Sequence, residues 1–469
     1  MNTSMFVFRR GTAWTLCLSV LIALVALAGC VSEPVEEPVR QTRHMREEPV
    51  EEWFMDGAIY ELFVRNFTPE GTLAAIPERL PELAEMGVKT IWLMPIFPVG
   101  EELRKGTLGS PYSVQDFYAV NPRFGTEEDL RAVVDTAHEL GMRVILDWVA
   151  NHSAWDNEWI TENPDWYTQD ADGNIVSPNA DWTDVADFNY DNPEMWNEMK
   201  NALRYWVEEF DIDGYRADVA YLVPNEFWQE TISELEQIKD VFMLAEANDP
   251  GLIGFDALYG WSSYHETKRL FDDGDLTQYM RLFRGESRAF PRNVFMRFTT
   301  NHDETSWDET PINLFGGEEG ARAAAVVVYS IPGFPLLYNG QEVGSQLRQN
   351  LFEREPIDWS GGEEFREFYE FILNFWADSP AMNWGGMDML TQAGERDVYA
   401  VSRLTPDEEV IVLVNVRDEP RTYRPHMNLG SFTDAYTGED VVLDAPMELA
   451  PYEWRILVQS PPQIAPASE

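Results

Sequence analysis

The chain has 469 residues, enough for one large domain and a smaller companion, and its 44% hydrophobic and 13% aromatic content excludes a disordered polypeptide. With 82 Asp and Glu against 34 Lys and Arg the formal net charge is −48, a field that repels phosphates and excludes nucleic acid as a partner. The lysines are Lys89, Lys105, Lys200, Lys239 and Lys268 alone; such a carboxylate-rich, lysine-poor surface suits concentrated salt and points to a halophilic source or, more plainly, to an acidic secreted protein.

At the N-terminus Arg9 and Arg10 precede an apolar stretch from Thr12 to Ala28, which closes in Leu27-Ala-Gly-Cys30. A basic start, a short apolar run and small residues at the cut read as a signal peptide over residues 1–29. Leu-Ala-Gly-Cys resembles a bacterial lipobox, which implies cleavage before Cys30 and a lipid on its thiol. The expected location is the cell envelope, at the outer membrane or cell surface, because Val31 rather than Asp follows the Cys. Cys17 lies in the segment to be removed, so the mature chain has no disulfide partner. Residues 30–52 are Glu- and Pro-rich without apolar periodicity and read as a tether.

From Ala58 apolar runs alternate with amphipathic stretches, the pattern of a parallel sheet. Strands are predicted near Ala58–Phe67, Thr90–Ile96, Arg143–Val149, Gly214–Val219, Val241–Ala247, Phe255–Trp261, Val294–Thr300 and Pro335–Tyr338. Helices are predicted at Ile76–Met86, Thr126–Leu140, Pro193–Phe210, Asn225–Lys239 and Gly320–Ser330, with Thr126 as an N-cap and Gly87 and Gly141 as C-terminal stops. Eight strands so interleaved close most simply as a (β/α)8 TIM barrel over residues 53–385. The link from His152 to residue 192 is long for a βα loop and reads as a small excursion after strand 3. Over residues 386–460 short alternating runs, Val398–Leu404, Glu409–Val416, Arg421–Pro425 and Trp454–Val458, predict a C-terminal all-β sandwich; 461–469 is a tail.

Four segments place acids, Arg or His where predicted strands end: Asp147-Trp-Val-Ala-Asn-His152, Gly214-Tyr-Arg-Ala-Asp218, Leu244-Ala-Glu246 and Thr300-Asn-His-Asp303. Cleaving a glycosidic bond with retention needs a carboxylate nucleophile and a second carboxyl as acid/base, about 5–5.5 Å apart. Asp218 and Glu246, at the ends of neighbouring strands, can meet across one sugar. Strand periodicity puts Arg216 on the face of Asp218, and the apolar run before Glu246 favours its protonated form. Asp303 is free to grip hydroxyls, and His152 and His302 can donate to the same ring. Trp148, Trp155, Trp166 and Trp182 fall near the expected cleft, with core packing the plainer role for each; His44, His138, His265 and His426 carry no motif.

In their order and spacing these segments resemble the conserved regions of the alpha-amylase superfamily, glycoside hydrolase family 13, over roughly Trp53 to Ser460. The resemblance implies Asp218 as nucleophile, Glu246 as acid/base and Asp303 as transition-state stabiliser, supported by Arg216, His152 and His302. It further implies that Tyr112, in Gly109-Ser-Pro-Tyr-Ser-Val-Gln-Asp116, stacks on the sugar, and Ala186-Asp-Phe-Asn189 resembles a short family motif. No cofactor is implied for the chemistry. Asn151 and Asp187 match positions that can supply calcium ligands, but the family's Lys-His after the nucleophile region is here Tyr221-Leu222, which leaves a structural calcium and the leaving-group subsite open.

Three activities fit these residues. The chain is expected to be a retaining hydrolase of α-1,4 bonds in starch or maltooligosaccharides, with an α-glucosidase or glucanotransferase of the same family, and a catalytically inactive starch-binding lipoprotein, as the other readings. Nothing in the sequence fixes its oligomeric state.

Overall fold

The computed structural model describes residues 52–459 apart from 249–250, 273, 275, 290–293 and 392–393. The signal peptide, Cys30, His44 and the tether up to Glu51 lie outside the described residues, as do residues 460–469. Eight strands form a closed barrel: β1 (Ala58–Leu62), β2 (Val88–Leu93), β3 (Arg143–Trp148), β4 (Gly214–Ala217), β5 (Phe242–Ala245), β6 (Ala257–Tyr259), β7 (Val294–Arg297) and β8 (Phe334–Tyr338). Each pairs in parallel with the next, and β8 returns to β1 with Leu336 opposite Ile59. Side chains on both faces of these strands are buried, which is why they read as continuous apolar runs rather than as alternation.

Several boundaries differ from the sequence reading. β1 stops at Leu62 and the chain turns into a short helix, Val64–Phe67; that turn is buried too, so the apolar run does not mark the break. The next helix begins at Leu80 rather than Ile76, because Pro81 is tolerated only in a first turn. The helix from Asn225 ends at Leu235. Among the described residues no helix separates β5 from β6. The helix Glu127–Glu139 is closed at its start by a reciprocal pair, Thr126 accepting from the Asp129 N–H and Asp129 from the Thr126 N–H. Gly87 and Gly141 follow their helices at φ +96° and +71°, the left-handed conformation that ends a helix most easily with Gly.

After β3 the excursion carries two short strands, His152–Ala154 and Val185–Asp187, paired antiparallel with His152 opposite Asp187. The C-terminal part is a six-stranded antiparallel sheet, starting at Gly386 and built around Val398–Leu404, Glu409–Asn415 and Trp454–Gln459. One face inserts Val401, Val410, Val412 and Ile456 into the core shared with the barrel. The other packs Ile411, Leu413 and Leu457 against Tyr423 and Leu449 of a two-stranded ribbon, so the second layer is much smaller than the first. Each such side chain removed from water stabilises the fold by about 1.5–3 kcal/mol. Among the described residues no helix is long and apolar enough to cross a membrane.

Candidate active site

The carboxyl ends of β3, β4 and β5 converge on one guanidinium. Arg216, fully buried on β4, donates from Nη1 to Asp147 Oδ1 and to Asp218 Oδ1, both at 2.8 Å, and from Nε to the Tyr259 hydroxyl at 3.0 Å. Its Nη2 lies 2.9 Å from Glu246 Oε2 as an ion pair without hydrogen-bond alignment. Burial disfavours the guanidinium charge, but the surrounding acids, Asp147 and Glu246 foremost, outweigh it and hold the cation.

The backbone that delivers these groups is tight. Gly214 opens β4 at φ +144°, where a Cβ would stand 2.0 Å from the Phe242 carbonyl oxygen, so only Gly lets β4 lie this close to β5. Immediately after Asp218, Val219 adopts φ 38° and ψ 45°, a left-handed conformation that costs a β-branched residue about 1–3 kcal/mol. That strain turns the Val219 N–H onto Glu246 Oε2 at 2.8 Å.

The two carboxyls flanking Arg216 differ in their surroundings. Burial, reinforced by Asp218 and Asp303 and opposed by Arg216, pushes Glu246 up to about 8. Asp218 takes the Arg216 Nη1 hydrogen bond directly and opens onto the cleft. Asp147, wholly buried, also accepts from Trp92 Nε1 at 3.2 Å and the Tyr112 hydroxyl at 2.9 Å; burial raises it to about 6.

Facing them, His302 and Asp303 start the helix that follows β7. His302 Nδ1 contacts Glu61 Oε1 in β1, while Nε2 lies 2.8 Å from the Tyr112 hydroxyl and 3.3 Å from Asp303 Oδ2. Burial lowers the affinity of His302 for its proton, but Asp303 and Glu61 prevail and raise it to about 9. The Tyr112 ring stacks on His302 at 5.4 Å. His152 is buried and pushed toward its neutral form, with Trp182 5.4 Å away.

The structure brings Tyr112, His152, Asp218, Glu246, His302 and Asp303 to one cleft of about 470 Å³, with Arg216 beneath it. The Asn151 amide is turned to His152 Nδ1 at 3.2 Å, and Asp187 has Thr168 as its side-chain partner. Among the described residues no group of three or more His, Cys, Asp or Glu is arranged to hold a metal ion. Of the four tryptophans, Trp148 and Trp166 belong to the core, Trp155 donates to the Thr183 carbonyl, and Trp182 lines the cleft. His138 contacts Asp213 at the start of β4, and His265 stacks on Trp261.

Sequence reasoning gave no role to Asp147, Glu61, Val219, Lys105, Trp307 or Phe352. The first two had a legible signal, a lone acid in an apolar strand; the others reach the cleft from loops, from the end of the helix that His302 starts, or through backbone strain. Lys105 ties its loop to the excursion through the Asp181 carbonyl and Asp184 Oδ1, both at 2.8 Å.

A closed parallel barrel with acids at the carboxyl ends of neighbouring strands, both on one Arg and one of them pushed up by burial, defines the class of barrel glycoside hydrolases. The family model "Alpha amylase, catalytic domain" matches residues 42–250. The chain is 29% identical over 397 residues to the alpha-amylase MalA of Haloarcula japonica, covering 79% of this chain and 57% of that protein. It is 30% identical over 390 residues to an alpha-1,4-glucan:maltose-1-phosphate maltosyltransferase of Arcanobacterium haemolyticum, covering 73% and 52%. Among solved structures, a noncanonic maltogenic alpha-amylase from Thermotoga neapolitana superposes with a TM-score of 0.80 at 29% identity, covering 87% of this chain and 100% of that one. Over residues 42–250 the chain carries the catalytic domain of the alpha-amylase family of glycoside hydrolases. The chain spans little more than half the length of the two curated relatives named.

Proposed function

We propose that the protein is a retaining glycosidase that cleaves α-1,4-glucosidic bonds in starch or maltooligosaccharides. The observation that carries this reading is the pair of carboxyls on adjacent nitrogens of Arg216, Glu246 raised by burial and Asp218 ion-paired. Such an arrangement fits an acid and a nucleophile serving one anomeric carbon. Asp218 attacks that carbon as Glu246 protonates the departing oxygen, leaving a glucosyl ester on Asp218. Glu246, now anionic, takes a proton from water, whose oxygen displaces Asp218 and restores both groups. Asp303, His152 and His302 hold ring hydroxyls, and Tyr112 stacks on the sugar.

Transfer to a second sugar instead of water is the alternative, and one observation favours it. Tyr221 and Leu222, 55% and 45% exposed, follow Asp218 by three and four residues and present an exposed apolar surface where the family carries Lys-His. The phenol is raised by partial burial, then by the charges of Glu246 and Asp218, which places it near both. A product time course on soluble starch and maltoheptaose separates the readings. Hydrolysis gives only shorter chains; chains longer than the substrate mean transfer, and no products at all would leave a sugar-binding barrel.

We further propose that the enzyme is held at the cell envelope by a lipid on Cys30, on the sequence evidence of Leu27-Ala-Gly-Cys30. Cys30→Ala should release it from membranes or block processing, and a processed variant that still sediments with membranes would refute the anchor.

A further inference from the structure

His302 has an acceptor at each ring nitrogen. The Tyr112 hydroxyl spends its one proton on Asp147 Oδ2, 2.9 Å away, so at the 2.8 Å contact with His302 Nε2 it can only accept. Asp303 Oδ2, 3.3 Å from the same nitrogen, is a second acceptor there. Nε2 therefore carries a proton. On the opposite side Nδ1 meets Glu61 Oε1, and between a carboxyl and a ring nitrogen one proton must be shared. The His302–Glu61 pair thus holds two protons in all where an isolated neutral histidine holds one.

Glu61 has no other hydrogen-bonding occupation for its side chain. It is fully buried in β1, the carboxyl makes its single hydrogen bond to His302, and Oε2 has no partner among the described residues. A buried acid in a central strand is costly unless it is paired, which leaves His302 as the group that compensates it. We infer that Glu61 is a positioning residue for catalysis: it locks His302 with Nε2–H directed at the cleft, as a fixed hydrogen-bond donor to Tyr112, Asp303 and the sugar hydroxyl that replaces them.

The charged groups around the imidazole support that role from each element packed on it. Glu61 faces it from β1, Asp147 from β3 through Tyr112, and Asp303 from its own helix; Arg216 on β4 opposes them. Asp147 and Asp303 remain when Glu61 is changed, but Asp147 is already matched by Arg216 and Asp303 is 32% exposed. In Glu61→Gln the amide still accepts from Nδ1–H but brings no charge. His302 then gives up its second proton at a lower pH than in the wild type, and above that point the Tyr112 contact must reverse or break.

The test has a spectroscopic and a kinetic arm. Nitrogen-15 NMR of the imidazole rings in the substrate-free protein, with His302 assigned by difference from His302→Gln, should show two protonated ring nitrogens, or one proton shared with Glu61, up to about pH 8. Titration of wild-type His302 to a single-proton ring near about pH 6.5 would overturn the proposal, whatever the enzyme cleaves. The kinetic arm rests on the glucan-cleaving reading. Glu61→Gln should retain near-normal kcat/KM at pH 5.5 and lose about 10–100-fold at pH 8, the worth of one charge-assisted hydrogen bond. Glu61→Asp should restore part of the alkaline activity by restoring the charge. A loss equal at both pH values and not relieved by Asp would mean that Glu61 serves only packing, and the proposal would fall.

Discussion

Glu246 touches one guanidinium nitrogen and one backbone N–H, yet burial and the nearby Asp218 and Asp303 keep its proton on to about pH 8. Its value in the folded protein lies above the ordinary 4.5, so the native state holds a proton that the unfolded chain releases. Stability from this group is therefore full below about pH 4.5 and falls as pH rises through about 8. Glu246→Gln should remove that slope, making the variant more stable than the wild type at pH 8 and not at pH 4.5, as read by thermal unfolding at the two pH values. In activity the same variant should lose far more on glucans than on aryl or fluoride glycosides, whose leaving groups need no proton. Equal losses on both substrate types would remove Glu246 from the acid/base role.

At the scale of elements, the parts legible in the sequence were those where burial and strand order act together. Arg216 lies in β4 and Asp218 just past its end, Glu246 lies just past the end of β5, and the barrel makes those ends neighbours. What was not legible depended on backbone conformation. Val219 reads as a strand residue, and nothing in its side chain announces the left-handed turn that aims its N–H at Glu246. Residues 63–67, Arg65 and Asn66 included, stay buried through a strand end and into a helix, so the strand reading ran past the boundary. Glu61 was visible as an acid within Ala58-Ile-Tyr-Glu-Leu62, but its partner is 241 residues away and only barrel closure joins them. Lys105 and Phe352 come from separate loops and Trp307 from the end of the helix that His302 starts, and no local pattern encodes their meeting at one cleft.

For the whole molecule, the −48 formal charge is the dominant long-range term. Self-repulsion of that size opposes the compact state at low ionic strength and weakens as the Debye length falls from about 10 Å at 0.1 M salt to about 3 Å at 1 M. The unfolding midpoint should therefore rise between low and molar salt in both potassium and sodium chloride. A midpoint that stays flat would remove the halophilic reading and leave the catalytic one untouched.

The catalytic reading turns on whether Asp218 attacks the anomeric carbon. Proton NMR of the first sugar released from a maltooligosaccharide, recorded before mutarotation, reads this directly. Double displacement through Asp218 requires the nascent product to be the α-anomer, decaying afterwards toward the equilibrium mixture. An initial β-anomer would mean a single inverting displacement by water, and Asp218 would not be the nucleophile.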